Sequence, residues 1–134
     1  MAALLESAEI GAITLFTEDL ERSKAFYVSV FGLPVVYEDP NSTVFRFDNT
    51  VINLLEIQAA HELIAPGTVA GPDAGARSQF TIGVDDVDAV CAELGRRGAA
   101  LLNGPMDRPW GIRTASITDP SGHIWEFAAD LPKE

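Results

Sequence analysis

The chain repeats itself at half its own length, and this constrains its fold more than any local pattern does. Ala12-Ile13-Thr14-Leu15-Phe16-Thr17-Glu18-Asp19-Leu20 lies on Gln79-Phe80-Thr81-Ile82-Gly83-Val84-Asp85-Asp86-Val87 at a constant offset of 67 in 134 residues. In each copy an apolar run with Thr at its third position leads to an acidic pair and then to an amphipathic stretch. Two similar modules sharing a core explain this better than two independent domains, which usually need about 100 residues or more each.

The first module, about residues 8–60, opens with a strand over Ile10 to Thr17. Glu18-Asp19 then supply acceptors for the free N–H groups that begin a helix. That helix spans Leu20 to Val30, with Leu20, Ala25, Phe26 and Val30 as its apolar stripe and Gly32 as its stop. Three short strands follow at Val35–Glu38, Thr43–Phe47 and Thr50–Ile57, separated by Asp39-Pro40-Asn41 and Asp48-Asn49 turns. The second module, about 78–130, repeats the order: strand Gln79–Val84, helix Val87–Arg97 ended by Gly98, and strands near Ala100–Leu102, Ile112–Thr118 and Ile124–Ala128. Between them, residues 61–77 carry Pro66, Gly67, Gly71, Pro72 and Gly75 and read as a linker or flap. The expected fold is therefore α+β, two βαβββ modules whose sheets form a cleft, with side chains alternating between cleft and helix faces.

Charge and cysteine content narrow the function. Nine Lys plus Arg against 20 Asp plus Glu give a formal charge of −11, which repels nucleic acid and anionic membrane surfaces. No apolar run approaches the roughly 18 residues of a membrane span, and the single cysteine, Cys91, cannot form an internal disulfide. These point to a cytoplasmic protein with a small-molecule partner. No phosphate-binding glycine loop, Ser-His-Asp order or paired-cysteine motif is present.

Three blocks carry a family resemblance: Ile13 to Ser23 followed by Ala25-Phe26-Tyr27 and Phe31-Gly32; Gly83-Val84-Asp85-Asp86-Val87-Asp88; and Pro109-Trp110-Gly111-Ile112-Arg113 leading to Asp119-Pro120-Ser121-Gly122-His123-Ile124-Trp125-Glu126. In this order they resemble the vicinal oxygen chelate superfamily of glyoxalase I, extradiol dioxygenases, fosfomycin-resistance enzymes and bleomycin-resistance proteins, over nearly the whole chain. The resemblance implies a homodimer with paired βαβββ modules. It also implies one metal ligand on the first and one on the last strand of each module in the metal-dependent members. The first of those positions is Ala12, where the enzymes carry His or Gln, and a methyl group cannot bind metal. The second is Gln79, whose amide oxygen is a weaker ligand than imidazole. The last strand of module two offers Glu126; that of module one offers Asn53 or Glu56, which point to opposite faces.

A set of Gln79, Glu126 and Glu56 or Asn53 holds no histidine. It suits Zn²⁺ and Ni²⁺ poorly and Mn²⁺ or Mg²⁺ only tolerably, so no cofactor is favoured. His123 and His61, the only histidines, lack ligand spacing. Cys91 shares a helix face with Val87 and Leu94 and reads as core. Trp110 lies in a turn-prone stretch and either lids the core or stacks on a planar ligand. Phe45 and Phe47 share one strand face, which is either the cleft or the core. Glu126 either ties its strand to Arg113 or serves the cleft.

The resulting expectation is a bleomycin-resistance-type protein that sequesters an aromatic natural product or antibiotic through Trp110, Phe45, Phe47, Gln79, Glu126 and Asn53. The alternative is a glyoxalase-like lyase, isomerase or dioxygenase using Mn²⁺, Ni²⁺ or Zn²⁺ on Gln79, Glu126 and Glu56, with Glu126 as catalytic residue.

Overall fold

A computed structural model of the chain describes residues 4–132, the side chain of Pro72 excepted. Module one runs β1 (Ile13–Thr17), α1 (Leu20–Ser29), β2 (Val35–Asp39), β3 (Ser42–Arg46) and β4 (Val51–Glu56). A helix, α2 (Ile57–Ile64), and a 3-10 turn at Pro72–Ala74 precede β5 (Gln79–Gly83), α3 (Val87–Arg96), β6 (Leu101–Asp107), β7 (Ile112–Thr118) and β8 (Ile124–Asp130). The sheets are ordered β1-β4-β3-β2 and β5-β8-β7-β6. In each, the first strand runs parallel to the last and the other pairs are antiparallel. The sequence repeat is thus a repeat of topology.

Asp19 and Asp86 open the two helices as their spacing implies. Each accepts a backbone N–H three residues on, from Arg22 at 3.1 Å and from Ala89 at 3.0 Å. Several boundaries differ from the sequence reading: β1 begins at Ile13 and not Ile10, and β8 runs on to Asp130. Part of the expected linker is α2, whose Ala60 is fully buried. And β6 extends to Asp107 through Gly104-Pro105, because an edge strand tolerates proline and the register shifts on both sides of the pair absorb it. Gly104 has φ +81°, and a Cβ there would collide with the Thr114 carbonyl oxygen. Only glycine lets the two strands come this close.

The helix-bearing faces of both sheets turn toward one another and form one core. Tyr27 of α1 is fully buried against Phe45 and Trp125, with ring centroids at 5.6 and 6.1 Å, and Phe31 packs on both Trp125 and Phe127. Phe47 stacks on Trp125 at 5.5 Å and Phe80 approaches it at 5.0 Å. Within a chain the helix faces are joined, and the opposite faces point outward.

A polar seam runs through the same core. Tyr27 donates its hydroxyl hydrogen to Asp119 Oδ2 at 2.5 Å and accepts from Trp125 Nε1 at 3.0 Å. Asp119 Oδ1 also accepts the backbone N–H groups of Ser121 and His123, both at 2.9 Å, which explains the Asp-Pro-Ser-Gly turn. Thr17, Ser23 and Ser121 share a hydroxyl cluster. Burial first, and then the neighbouring Asp119, push the Tyr27 hydroxyl far above the ordinary tyrosine range. Among the described residues no buried side-chain nitrogen or oxygen lacks a partner. The seam therefore fixes how the modules dock without leaving an unpaired group.

Candidate functional site

Strand register decides which side chains reach the outer faces. In module two, Trp125 and Phe127 point into the core, so Glu126 points outward. Directly opposite it stand Thr81 on β5 and Ser116 on β7. Thr81 donates its hydroxyl hydrogen to Glu126 Oε1 at 2.8 Å. Gln79, exposed, lies on the same face two residues before Thr81. Thr114 and Ser116 also point outward yet are buried, at 0% and 3% exposure, so they form the floor of a concave surface.

Module one carries the counterpart. The repeat places Thr14 on Thr81 and Ala12 on Gln79. Thr14 pairs across with Asn53 just as Thr81 pairs with Glu126. Asn53 Nδ2 reaches Thr14 Oγ1 at 3.5 Å, the outer limit of a hydrogen bond. Asn53, not Glu56, is therefore the pseudo-symmetric mate of Glu126. Glu56 stands opposite Thr17, whose side chain is buried in the seam, and does not share the face.

The remaining sequence candidates divide cleanly. Phe45, with no exposed surface, and Phe47, stacked on Trp125, belong to the core, so the expected ligand role for both is corrected. Helix-side packing uses every aromatic on β3 and its flank and leaves none for the outer face. Trp110 is 68% exposed in the β6–β7 turn and lines a hollow of about 520 Å³ with Ile112, Asp130 and Leu131. Ile112 and Asp130 lie opposite one another and share the parity of Thr114 and Glu126, which makes that hollow the far end of the same outer face.

Glu126 does not tie its strand to Arg113, as one reading had it. Arg113 turns to the helix side, where it holds Asp88 at 2.9 Å and Asp107 at 2.8 Å. These two carboxylates raise the Arg113 guanidinium further above its already high range. His123 is buried and spent: Nε2 donates to the Phe16 carbonyl at 2.9 Å, and the Ser78 hydroxyl sits on Nδ1 at 2.8 Å. His61 is exposed on α2. Cys91 is half-buried on α3, and burial pushes its thiol above the ordinary range. That state suits packing and not nucleophilic attack.

Arg77 straps down the inter-module segment. It holds Glu18 at 3.1 Å and the Ala70 carbonyl at 2.8 Å, and it also bonds the Ser121 carbonyl. The segment roofs a hollow of about 460 Å³ at the edge of β1, lined by Thr14, Phe16, Val69 and Ser78.

Sequence reasoning missed the floor residues Thr114 and Ser116 and two more residues of the outer face. Thr81 was visible only as a mark of the repeat, since a threonine inside a strand carries no functional signal until its cross-strand mate is known. Arg108, whose Nε donates to Thr114 Oγ1 at 2.8 Å, looked like a turn residue.

The donor set can now be tested against the metal that this architecture often holds. The outward positions at the ligand places are Ala12 and Asn53 in one module and Gln79 and Glu126 in the other. They offer one methyl, two amides and one carboxylate already engaged by Thr81. Among the described residues no three His, Cys, Asp or Glu side chains lie close enough together to hold an ion. Structural and catalytic divalent-metal sites rely on imidazole, thiolate or several carboxylates, and this set does not fit.

Comparison with known proteins agrees with the architecture. The sequence profile of the Glyoxalase/Bleomycin resistance protein/Dioxygenase superfamily matches residues 9–127, and the chain belongs to this superfamily. The Bacillus subtilis protein YraH is 30% identical over 86% of this chain and 93% of its own length. The metallothiol transferase FosB of Lysinibacillus sphaericus is 25% identical over 88% of this chain and 79% of its own. Among solved structures, a glyoxalase/bleomycin resistance protein/dioxygenase from Nocardioides superposes with a TM-score of 0.87 at 24% identity, covering 96% of this chain and 87% of that one. TnmS3, an antibiotic binding protein from Streptomyces, does so with a TM-score of 0.70 at 24% identity, covering 93% and 98%. Among the described residues no helix is long and apolar enough to cross a membrane.

Proposed function

We propose that the protein binds an aromatic small molecule on the outer face of its second module and holds it without chemical change. The observation that carries this reading is the donor set: Ala12, Asn53 and Gln79 stand where metal-dependent relatives need strong ligands, and Glu126 is the sole carboxylate among the four. Such a face recognises and does not activate. Glu126 accepts hydrogen bonds, as does Thr81 whose own hydrogen is given to Glu126, Gln79 both donates and accepts, and Trp110 gives a planar ring for stacking. The fold is compatible with this role, since TnmS3 is an antibiotic binding protein on the same architecture.

Because the two outer faces of one chain point away from each other, a homodimer would bring the first face of one copy over the second face of the other. This would bury a ligand as small-molecule sites generally do. The lone Cys91 and the acidic surface fit a cytoplasmic setting.

A second reading, a divalent-metal enzyme, has one observation in its favour, the 25% identity to a metallothiol transferase, and against it the donor set described above. Titrating a panel of planar aromatic natural products into the protein, in chelator and then in Mn²⁺, Ni²⁺ or Zn²⁺, separates the two. Micromolar binding in chelator, with the compound recovered unaltered and affinity lost in Trp110→Ala, is the expected result. Near-stoichiometric metal that disappears in Glu126→Gln, or a compound returned chemically changed, would overturn it.

A further inference from the structure

The outer face of module two holds a cation, Arg108, that forms no ion pair with any described residue. Arg108 follows the last residue of β6 and turns onto the same face as Glu126. Its Nε donates to Thr114 Oγ1 at 2.8 Å, and Thr114 itself has no exposed surface. Four other arginines, Arg77, Arg96, Arg97 and Arg113, each hold a carboxylate within 4 Å. Among the described residues Arg108 holds none, although it is half-buried in a chain of net charge −11.

Two carboxylates are near enough in sequence and register to have paired with it. The adjacent Asp107 is taken by Arg113 at 2.8 Å. Asp130, opposite Ile112 on this face, makes no ion pair with it. Among the described residues the two terminal nitrogens of Arg108 have no acceptor, while the buried Thr114 hydroxyl limits how the guanidinium can turn. A pre-oriented guanidinium with its outer edge unused is a receptor for a planar anion, because its parallel N–H groups match the two oxygens of a carboxylate. Trp110, two residues on in the β6–β7 turn, lines the hollow at this end of the face with Ile112 and Asp130, so an aromatic ring and the guanidinium belong to the same end of the outer face. Glu126 is separated from β6 by β7, two strand spacings or about 10 Å, and no salt bridge joins it to Arg108.

We infer that Arg108 is the specificity-determining residue of this face and that its ligand is an aromatic carboxylate: the ring against Trp110, the carboxylate on Arg108, and a hydrogen-bond donor toward Glu126. This rests on the binding role proposed above and names the ligand class for it. The positive charge also answers why so acidic a protein could attract an anion, since recognition is set by the local cation and not by the net charge.

The test uses matched probes, a set of fused-ring aromatic carboxylic acids and their primary amides, titrated calorimetrically into the full chain at low salt. In the wild-type protein each acid should bind at least tenfold more tightly than its amide. In Arg108→Gln the acids should fall to within about twofold of the amides while amide affinity stays unchanged. Arg108→Lys, which keeps the charge but not the bidentate edge, should recover only part of the preference. Amides and acids binding the wild type equally would overturn the assignment, as would an Arg108→Gln protein that still prefers acids. If neither acids nor amides bind at all, the underlying binding role fails and this inference fails with it. A merely structural Arg108 would lower the melting temperature of Arg108→Gln and shift both probe series together, which would also overturn it.

Discussion

The polar groups sealed between the modules and those on the outer face of module two contrast in one respect, spare bonding capacity. In the seam, Tyr27, Asp119, Ser121 and His123 are each bonded inside the protein, and Asp119 alone receives three donors. On the outer face Glu126 has one partner in Thr81, Arg108 one in Thr114, and Gln79 none among the described residues. Both sets are polar, the seam drawing on α1 and the β7–β8 turn and the outer face on strands and an adjoining turn. The difference teaches that polarity inside a fold serves architecture when it is closed on itself and recognition when it is left incomplete.

The largest break in that contrast should come from Asp119→Ala, which strands the Tyr27 hydroxyl and two backbone N–H groups in the core. We expect a loss of about 3–5 kcal/mol in urea denaturation, from the cost of several buried donors left unpaired. Next, Trp125→Ala and Glu126→Gln compare neighbours on one strand that face opposite ways. The first should cost about 3–5 kcal/mol of stability through the cavity it opens. The second should change stability by no more than about 0.5 kcal/mol while weakening ligand binding. Equal destabilisation by both would erase the distinction between the two faces.

A subtler test uses pH. The Tyr27 hydroxyl is held above its ordinary range by burial and by Asp119, whereas in the unfolded chain it ionises near pH 10. Above that pH the unfolded state releases a proton that the folded state keeps, so stability present below pH 10 declines as pH rises. The slope approaches about 1.4 kcal/mol per pH unit. Comparing denaturation of wild type and Tyr27→Phe at pH 9 and 11 isolates it, since other alkaline titrations are common to both. The phenylalanine variant should lose less stability over that interval. The smallest effect is expected for Thr81→Val, an exposed bond on the outer face. Stability should move by less than about 1 kcal/mol, with any larger change appearing in binding.

The topology was legible because the repeat carried it: once Asp19 fell on Asp86, the second module's order followed from the first. The pieces that were not legible share a cause. Tyr27 and Ser23 were left out of the α1 stripe because a polar side chain looks solvent-facing until its buried partner is known, and here the partners are on the other module. Ala25, included in that stripe, is exposed. The choice between Asn53 and Glu56 required the register of β1 on β4, which a uniformly apolar strand does not encode. Phe45 and Phe47 could be assigned to core or cleft only after the helix faces were seen to meet. Gln79 and Glu126, by contrast, followed from the family resemblance and Trp110 from its turn-prone setting, and all three lie on or at the end of one face.

Gly104 adds a consequence for how this surface can diverge. Any side chain there would collide with the Thr114 carbonyl, so β6 is locked against the strand whose hydroxyls floor the concavity. Descendants of this sequence cannot widen or narrow the hollow by sliding that strand. A lineage that acquires a new ligand must do so by exchanging the side chains at its rim, Gln79, Arg108, Trp110 and Glu126, over a backbone held constant.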